Sequence, residues 1–340
     1  MTDSAFDSDS LFRVLSLDGG GVRGILQART LSNIETYLNI RDDVDIPIGE
    51  RFDLLAGTST GGIIALGLSI GRSAADIVSF YEEYIPKIFC ASNKSGILFS
   101  SKYSPSVLEK ALEEFFGDET LESVVTDVCV PAVALQNAKP RLYKSGYLMR
   151  NQGRLSERLV DIAMATSAAP VFFPAHSAAH STNLVDGGVC ANNPAMIALV
   201  ESMQFETISG RGIEPPEEGE RRSLTDIVML SLGTGEQCAM PYVHEKLLSA
   251  GPVNWSFALD RSYKLPTFKP VSPILELIMQ SQSTLAHFQA MFMVGDDRYC
   301  RINPQLKFPM SLDDADKIDE LKNLSDITAD VEVFINQYVT

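Results

Sequence analysis

The 340-residue sequence predicts an α/β fold built on a largely parallel sheet. Two observations predict it. Short apolar runs bounded by Gly, Pro or Asp recur along the chain, and stretches with helical periodicity lie between several of them. Strands that alternate with helices pair in parallel, because each helix carries the chain back across the sheet. Composition agrees, since 45% hydrophobic and 21% charged residues suit a packed core and are too apolar for a disordered chain.

The elements follow in order. Phe12–Leu17 reads as a strand and Ile25–Leu38 as the helix behind it. Phe52–Ala56 is the next strand, leading into an apolar helix that begins near Ile63. Helical spacing continues over Ala74–Ile88 and Ser106–Phe116, then a strand over Val128–Leu135 and a helix over Ser156–Ala165. Leu184–Val185 and Ile227–Leu232 complete the strands, with Ser209–Ser223 as a polar loop before the last. Pro241 to Pro273 looks irregular, Ile274–Val294 helical, and Ser311–Thr340 reads as a surface helix with Ile318, Leu321 and Leu324 inward.

Charge narrows the function. Lys and Arg total 28 against 44 Asp and Glu, a net charge of −16, which argues against sequence-independent binding to DNA. The same field disfavours permanent residence on an anionic membrane. Met1 to Ser10 lacks the basic and apolar regions of a secretory signal, and no window holds about 18 uninterrupted apolar residues. The five cysteines are scattered and form no CxxC pair, so reduced cysteines in a cytoplasmic protein are expected.

Two glycine-rich junctions carry the chemistry. Asp18-Gly19-Gly20-Gly21-Val22-Arg23-Gly24 joins a strand to a helix. Gly19, Gly21 and Gly24 fit the dinucleotide fingerprint, and Asp42 or Asp43 falls near the expected ribose-binding acid. Any strand–glycine loop–helix unit presents backbone N–H groups to an anion, so the loop argues for an anion cradle more firmly than for a nicotinamide cofactor. The second junction, Gly57-Thr58-Ser59-Thr60-Gly61-Gly62, is G-x-S-x-G between a strand and an apolar helix. That context is a nucleophile elbow, which turns the chain sharply and exposes the serine hydroxyl; a structural turn is the alternative.

A serine needs a base. His176 and His180 share a loop, where a metal pair is disfavoured for want of HExxH; His244 lies in the irregular region and His287 within a helix beside Phe288. None has the setting of a triad histidine, so a Ser–His–Asp triad is only weakly supported. Asp186, in Leu184-Val185-Asp186-Gly187-Gly188, sits at a strand end with two glycines beside it. It reads equally as a base and as a turn aspartate.

Taken together, DGGGVRG at Asp18–Gly24, GTSTGG at Gly57–Gly62 and DGG at Asp186–Gly188 resemble the signature set of patatin-like phospholipases. Ala165–Pro170 with Phe173-Pro174, and Ser231–Gly235, look like the same family. The match spans roughly Phe12 to Gly235, about two-thirds of the chain. This resemblance implies a three-layer α/β/α acyl hydrolase of membrane phospholipids, with no cofactor, metal or catalytic histidine. Ser59 would be the nucleophile and Asp186 its base. Backbone N–H groups of the loop Gly19, Gly20, Gly21, Val22 and Arg23 would form the oxyanion hole, chiefly those of Gly20, Gly21 and Val22, and Arg23 would anchor the loop. Gly57, Thr60 and Gly61 would build the elbow, with the Thr60 N–H as a further donor. The implied organisation is a flexible N-terminus over residues 1–11, a catalytic domain over 12–235 and an extension over 236–340 packed on it.

Among bacterial members, the layout resembles the patatin-like effectors of cyclic-oligonucleotide (CBASS) anti-phage systems, with Asp297–Pro304 similar to the family's later region. That narrower resemblance implies a cytoplasmic enzyme that acts transiently at the inner membrane surface. A cyclic di- or trinucleotide would activate it, with a homodimer or an activation-dependent oligomer as the working form. Lys139, Arg141, Lys144, Arg150, Arg154 and Arg158 cluster within twenty residues, opposed by Glu157 alone, and suit phosphate or nucleotide contacts; a solvated edge is the plainer reading.

Overall fold

The computed structural model describes residues 11–94, 100–145, 155–178, 181–203, 222–237, 251, 255, 258–259, 270–326 and 328–339. Strands β1 (Phe12–Leu17), β2 (Leu54–Gly57), β3 (Asp127–Ala134), β4 (Lys139–Lys144), β5 (His176–Ala178), β6 (Ser181–Asp186), β7 (Ile227–Leu232) and β8 (Tyr299–Ile302) form one sheet. Its order is β8-β7-β1-β2-β3-β6-β5, with β4 also on β3. Every neighbour from β8 to β3 is parallel, whereas β4, β5 and β6 enter antiparallel.

Among the described residues, ten helices frame the sheet: α1 (Gly24–Asp42), α2 (Thr60–Ser69), α3 (Ala74–Ile88), α4 (Ser106–Phe116), α5 (Leu159–Thr166), α6 (Gly188–Ala191), α7 (Ala195–Ser202), α8 (Pro273–Val294), α9 (Ile318–Lys322) and α10 (Ala329–Tyr338). Successive strand residues face opposite ways, and the core divides accordingly. Leu15, Leu17, Leu55, Val128 and Leu230 pack with α1 to α5, while Phe12, Val14, Leu54, Ala56 and Met229 pack with α7 and α8. The result is the three-layer α/β/α arrangement. All six residues of β1 are buried, as expected for a parallel strand covered on both faces.

Local chemistry sets the helix starts. Ser73 Oγ accepts from the Asp76 N–H at 3.1 Å while Asp76 Oδ2 accepts from the Ser73 N–H at 3.2 Å, a reciprocal cap that fixes the first turn of α3. Helix α2 is buried at all ten positions, which explains a sequence apolar all round.

One arrangement in the sheet positions the site. β2 pairs with β3 through Asp127–Cys129, and β6 pairs with β3 through Ala132–Ala134 in the opposite direction. β4 runs along Cys129–Ala134, so β2 and β6 divide the other edge of β3 between them. Their C-terminal ends therefore meet near the middle of β3.

The sequence reading departs from the structure at the chain ends. Leu11 is buried, so the expected N-terminal tail is anchored at its last residue; residues 1–10 lie outside the described ones. The single tail helix is two, α9 and α10, with Leu324 only partly buried after the first. β8 draws the C-terminal region into the sheet. No described helix is long and apolar enough to cross a membrane.

Candidate active site

β2 delivers the chain to Ser59, whose φ of 55° and ψ of −121° are left-handed, a conformation that strains any residue but glycine. The flanking glycines make the turn sterically feasible. A Cβ on Gly57 would lie 2.1 Å from the Gly61 carbonyl oxygen, and one on Gly61 would lie 2.3 Å from that of Leu17. The Ser59 N–H donates to Thr166 Oγ1 at 2.9 Å, and that hydroxyl donates to the Pro131 carbonyl at 2.7 Å, which ties the elbow to α5 and β3. Thr166 falls in the supporting Ala165–Pro170 stretch, but sequence alone gave it no role.

Where β2 and β6 meet, Ser59 Oγ donates to Asp186 Oδ2 at 2.7 Å. The other carboxylate oxygen accepts from the Gly188 N–H at 2.6 Å, which holds the carboxylate in place. Burial pushes the Asp186 carboxyl up from the ordinary aspartate range to about 7, against the opposing pull of the Ser59 hydroxyl and Gly188 N–H. A general base works best with a pKa near the operating pH. If Asp186 serves as that base, kcat/KM for a soluble short-chain ester is expected to rise through about pH 7 and then level, because the deprotonated carboxylate would be the active form. A pH profile of wild type and His287→Gln should show the same single limb; loss of the limb in the variant would assign it to the histidine.

The glycine loop lies beside Ser59, and a Cβ on Gly19 would come 3.3 Å from Ser59 Cβ. Asp18 is gripped by Arg301 of β8 through two parallel hydrogen bonds of 2.8 and 2.6 Å, a partner that sequence reasoning did not find. Three expected oxyanion donors are engaged elsewhere. The Gly19 N–H donates to the Asn192 carbonyl at 2.8 Å, the Val22 N–H to the Leu312 carbonyl at 2.9 Å and the Arg23 N–H to the Gly20 carbonyl at 3.2 Å. The N–H groups of Gly20, Gly21 and Thr60 donate to no atom among the described residues, and they are the donors left for an oxyanion. Gly21 is in a left-handed conformation at φ 58°, where a Cβ would also strike the Leu312 carbonyl at 2.1 Å. Arg23 braces the loop through Nε to the Gly20 carbonyl at 3.3 Å.

Two cavities meet here. A narrow apolar one reaches Ser59 and Asp186 between Ile63, Phe80, Ile88, Phe89 and Phe173, with about 60 Å³ of space that water could occupy. A polar one of about 390 Å³ lies beyond the glycine loop, lined by Asp18, Arg23, Glu276, His287 and Arg301 among others. Met279 of α8 and Leu312 line both.

Other candidates fall outside this constellation. His287 hydrogen-bonds Tyr299 Oη through Nδ1 at 3.0 Å, and His176, in β5 rather than a loop, meets Asp161 at 3.2 Å. His180 and His244 lie outside the described residues. Of the two acids that a dinucleotide reading could use, Asp42 binds Arg41 and Arg51, while Asp43 is exposed at the end of α1. In the basic cluster, Arg141 pairs with Glu157 at 3.1 Å and Lys144 with Glu201 at 2.7 Å, so Glu157 is not the only opposing charge. Lys139 is exposed, while Arg150 and Arg154 lie outside the described residues.

A family model described as patatin-like phospholipase matches residues 15–199. Patatin-like protein 4 of Arabidopsis thaliana is 31% identical over 353 residues, covering 95% of this chain and 84% of that protein. Patatin-15 of Solanum tuberosum is 30% identical over 274 residues, covering 74% of this chain and 68% of that protein. Among solved structures, VipD from Legionella pneumophila is 13% identical with a TM-score of 0.37, covering 96% of this chain and 75% of that one. The chain belongs to the patatin-like phospholipase family.

Proposed function

We propose that this protein is a phospholipase of the A type, which cleaves carboxylic esters of membrane phospholipids through a Ser59–Asp186 dyad. The observation that carries the reading is the 2.7 Å hydrogen bond from Ser59 Oγ to a buried carboxylate at the tip of a strained elbow. Asp186 takes the hydroxyl proton as Oγ attacks the ester carbonyl. The N–H groups of Gly20, Gly21 and Thr60 receive the developing oxyanion. The protonated Asp186 then returns its proton to the departing glycerol oxygen, leaving an acyl-Ser59 that water cleaves by the same relay. The apolar cavity beside Ser59 suits the acyl chain.

Fatty-acid release from mixed phospholipid vesicles tests the proposal, together with labelling of Ser59 by a fluorophosphonate. Release and labelling are both expected, and a protein that neither labels nor releases would be a non-catalytic use of the fold. Activation by a cyclic di- or trinucleotide belongs to the proposal as a separate arm of the experiment. Arg141 and Lys144 already hold carboxylates, so a nucleotide would have to displace Glu157 or Glu201 to reach them, and release without added nucleotide would leave a constitutive lipase. Strict dependence on one nucleotide would instead establish a switched enzyme.

A further inference from the structure

Helix α8 has an outer face that the described residues leave bare. Ile274, Ile278, Ser281, Leu285, Phe288 and Phe292 follow a 4-3-4-3-4 spacing that aligns them along one side, with Leu277 next to the row. All are exposed, Phe292 at 88%, Leu285 at 58% and Phe288 at 55%. The opposite side, with Leu275, Met279, Ser283, Ala290 and Val294, is buried. Ser281 alone interrupts an apolar stripe about 27 Å long at 1.5 Å per residue. A helix normally turns charge toward water, yet no Asp, Glu, Lys or Arg occurs from Leu277 to Val294. A continuous apolar strip of this length marks a surface that water does not cover in the working state.

Its position suggests what covers it. Met279, on the inner side of the same helix, lines both the apolar cavity at Ser59 and the polar cavity beyond the glycine loop. Phe288, within the stripe, lines the polar cavity. The bare face is therefore continuous with the rim of the site. We propose that the outer face of α8 docks on a lipid surface, lying in its plane as an interfacial helix and setting the site against the membrane. The inference rests on the phospholipase reading. Charge specifies the surface further. A chain of net charge −16 is repelled by anionic lipid, and the stripe offers no cation to compensate. Docking is apolar in origin, and zwitterionic lipid suffices for it.

The test uses the full chain carrying Ser59→Ala, so that the lipid stays intact, with flotation on phosphatidylcholine vesicles. The parent should bind phosphatidylcholine alone, without help from added phosphatidylserine and without loss at high salt. Leu285→Glu combined with Phe292→Glu should lower partitioning about tenfold or more, as expected when large apolar side chains are denied burial. The same double substitution in the active enzyme should leave turnover of soluble p-nitrophenyl butyrate unchanged, since neither residue lines a cavity and both are exposed. Equal vesicle binding by parent and double variant would overturn the inference. So would binding that requires phosphatidylserine, or sedimentation showing that the substitutions only split a dimer. If the parent binds vesicles but the active enzyme cleaves neither the soluble ester nor phospholipid, the phospholipase reading fails and the docking surface stands.

Discussion

Ser59→Ala is expected to lower kcat for ester hydrolysis by about 10⁴-fold or more while leaving the fold intact. The substitution removes Oγ alone. The Ser59 N–H keeps Thr166 as its acceptor, and the close approaches of Gly57 and Gly61 are untouched. On the proposed mechanism, whatever turnover persists reflects the N–H groups of Gly20, Gly21 and Thr60 stabilising attack by water. Steady-state kinetics with a soluble ester, circular dichroism and fluorophosphonate labelling check it together. A folded Ser59→Ala protein with wild-type turnover would remove Ser59 from the chemistry.

Asp186→Asn should abolish activity to a similar degree and stabilise the protein above neutral pH. Asparagine keeps an oxygen to accept from the Gly188 N–H and offers an N–H to Ser59 Oγ, so the packing is preserved. It cannot take the serine proton. The stability effect follows from linkage. The folded carboxyl has a pKa raised from 3.8 to about 7, so between those values the folded state holds a proton that the unfolded state has lost. Stability therefore falls as pH rises from about 4 to about 7 and is constant beyond, a contribution of up to about 4 kcal/mol for such a shift. Neutral asparagine avoids that cost. Thermal melts should show the variant several degrees above wild type at pH 8, and the gap should close only near pH 4, where the unfolded carboxyl is protonated as well. A variant less stable than wild type at pH 8 would contradict a desolvated base.

The parallel half of the sheet is legible in the sequence because burial on both faces demands unbroken apolar runs. β1 and β7 coincide with Phe12–Leu17 and Ile227–Leu232. The antiparallel half is legible only in part. β4 (KPRLYK) is partly exposed, carries three basic residues and shows no apolar run, and β6 starts with Ser181-Thr182-Asn183, so only its end, Leu184–Val185, reads as a strand. β8 (YCRI) is short and half-buried, and its arginine is consumed by Asp18. Helices α3 and α4 match their predicted limits because each carries a clean amphipathic face.

The site divides along similar lines. Ser59, Asp186 and the glycine loop are visible because their backbone turns require particular residues in sequence. The occupants of the loop's N–H groups are not, since the carbonyls of Asn192 and Leu312 come from distant segments and a carbonyl has no residue code. For the same reason Val22 reads as an oxyanion donor in sequence while its N–H is spent on Leu312. The pairing of Lys144 with Glu201 spans 57 positions and is equally silent, which is why the basic cluster looks freer in the sequence than in the fold.

The shared edge of β3 has a consequence for how the enzyme comes to life. Ser59 and Asp186 are 127 positions apart, and each is placed by a different strand abutting the same edge of β3. Local contacts form early in folding, whereas strand pairings that close long loops form late, because the chain entropy must be lost before the pairing is gained. On the proposed dyad, the serine meets its base only once both loops have closed, the one that seats Leu54 beside Asp127 and the shorter one that seats Asp186 beside Ala132. Nascent or partly refolded chains that have made only one of these pairings are therefore expected to be silent toward ester substrates.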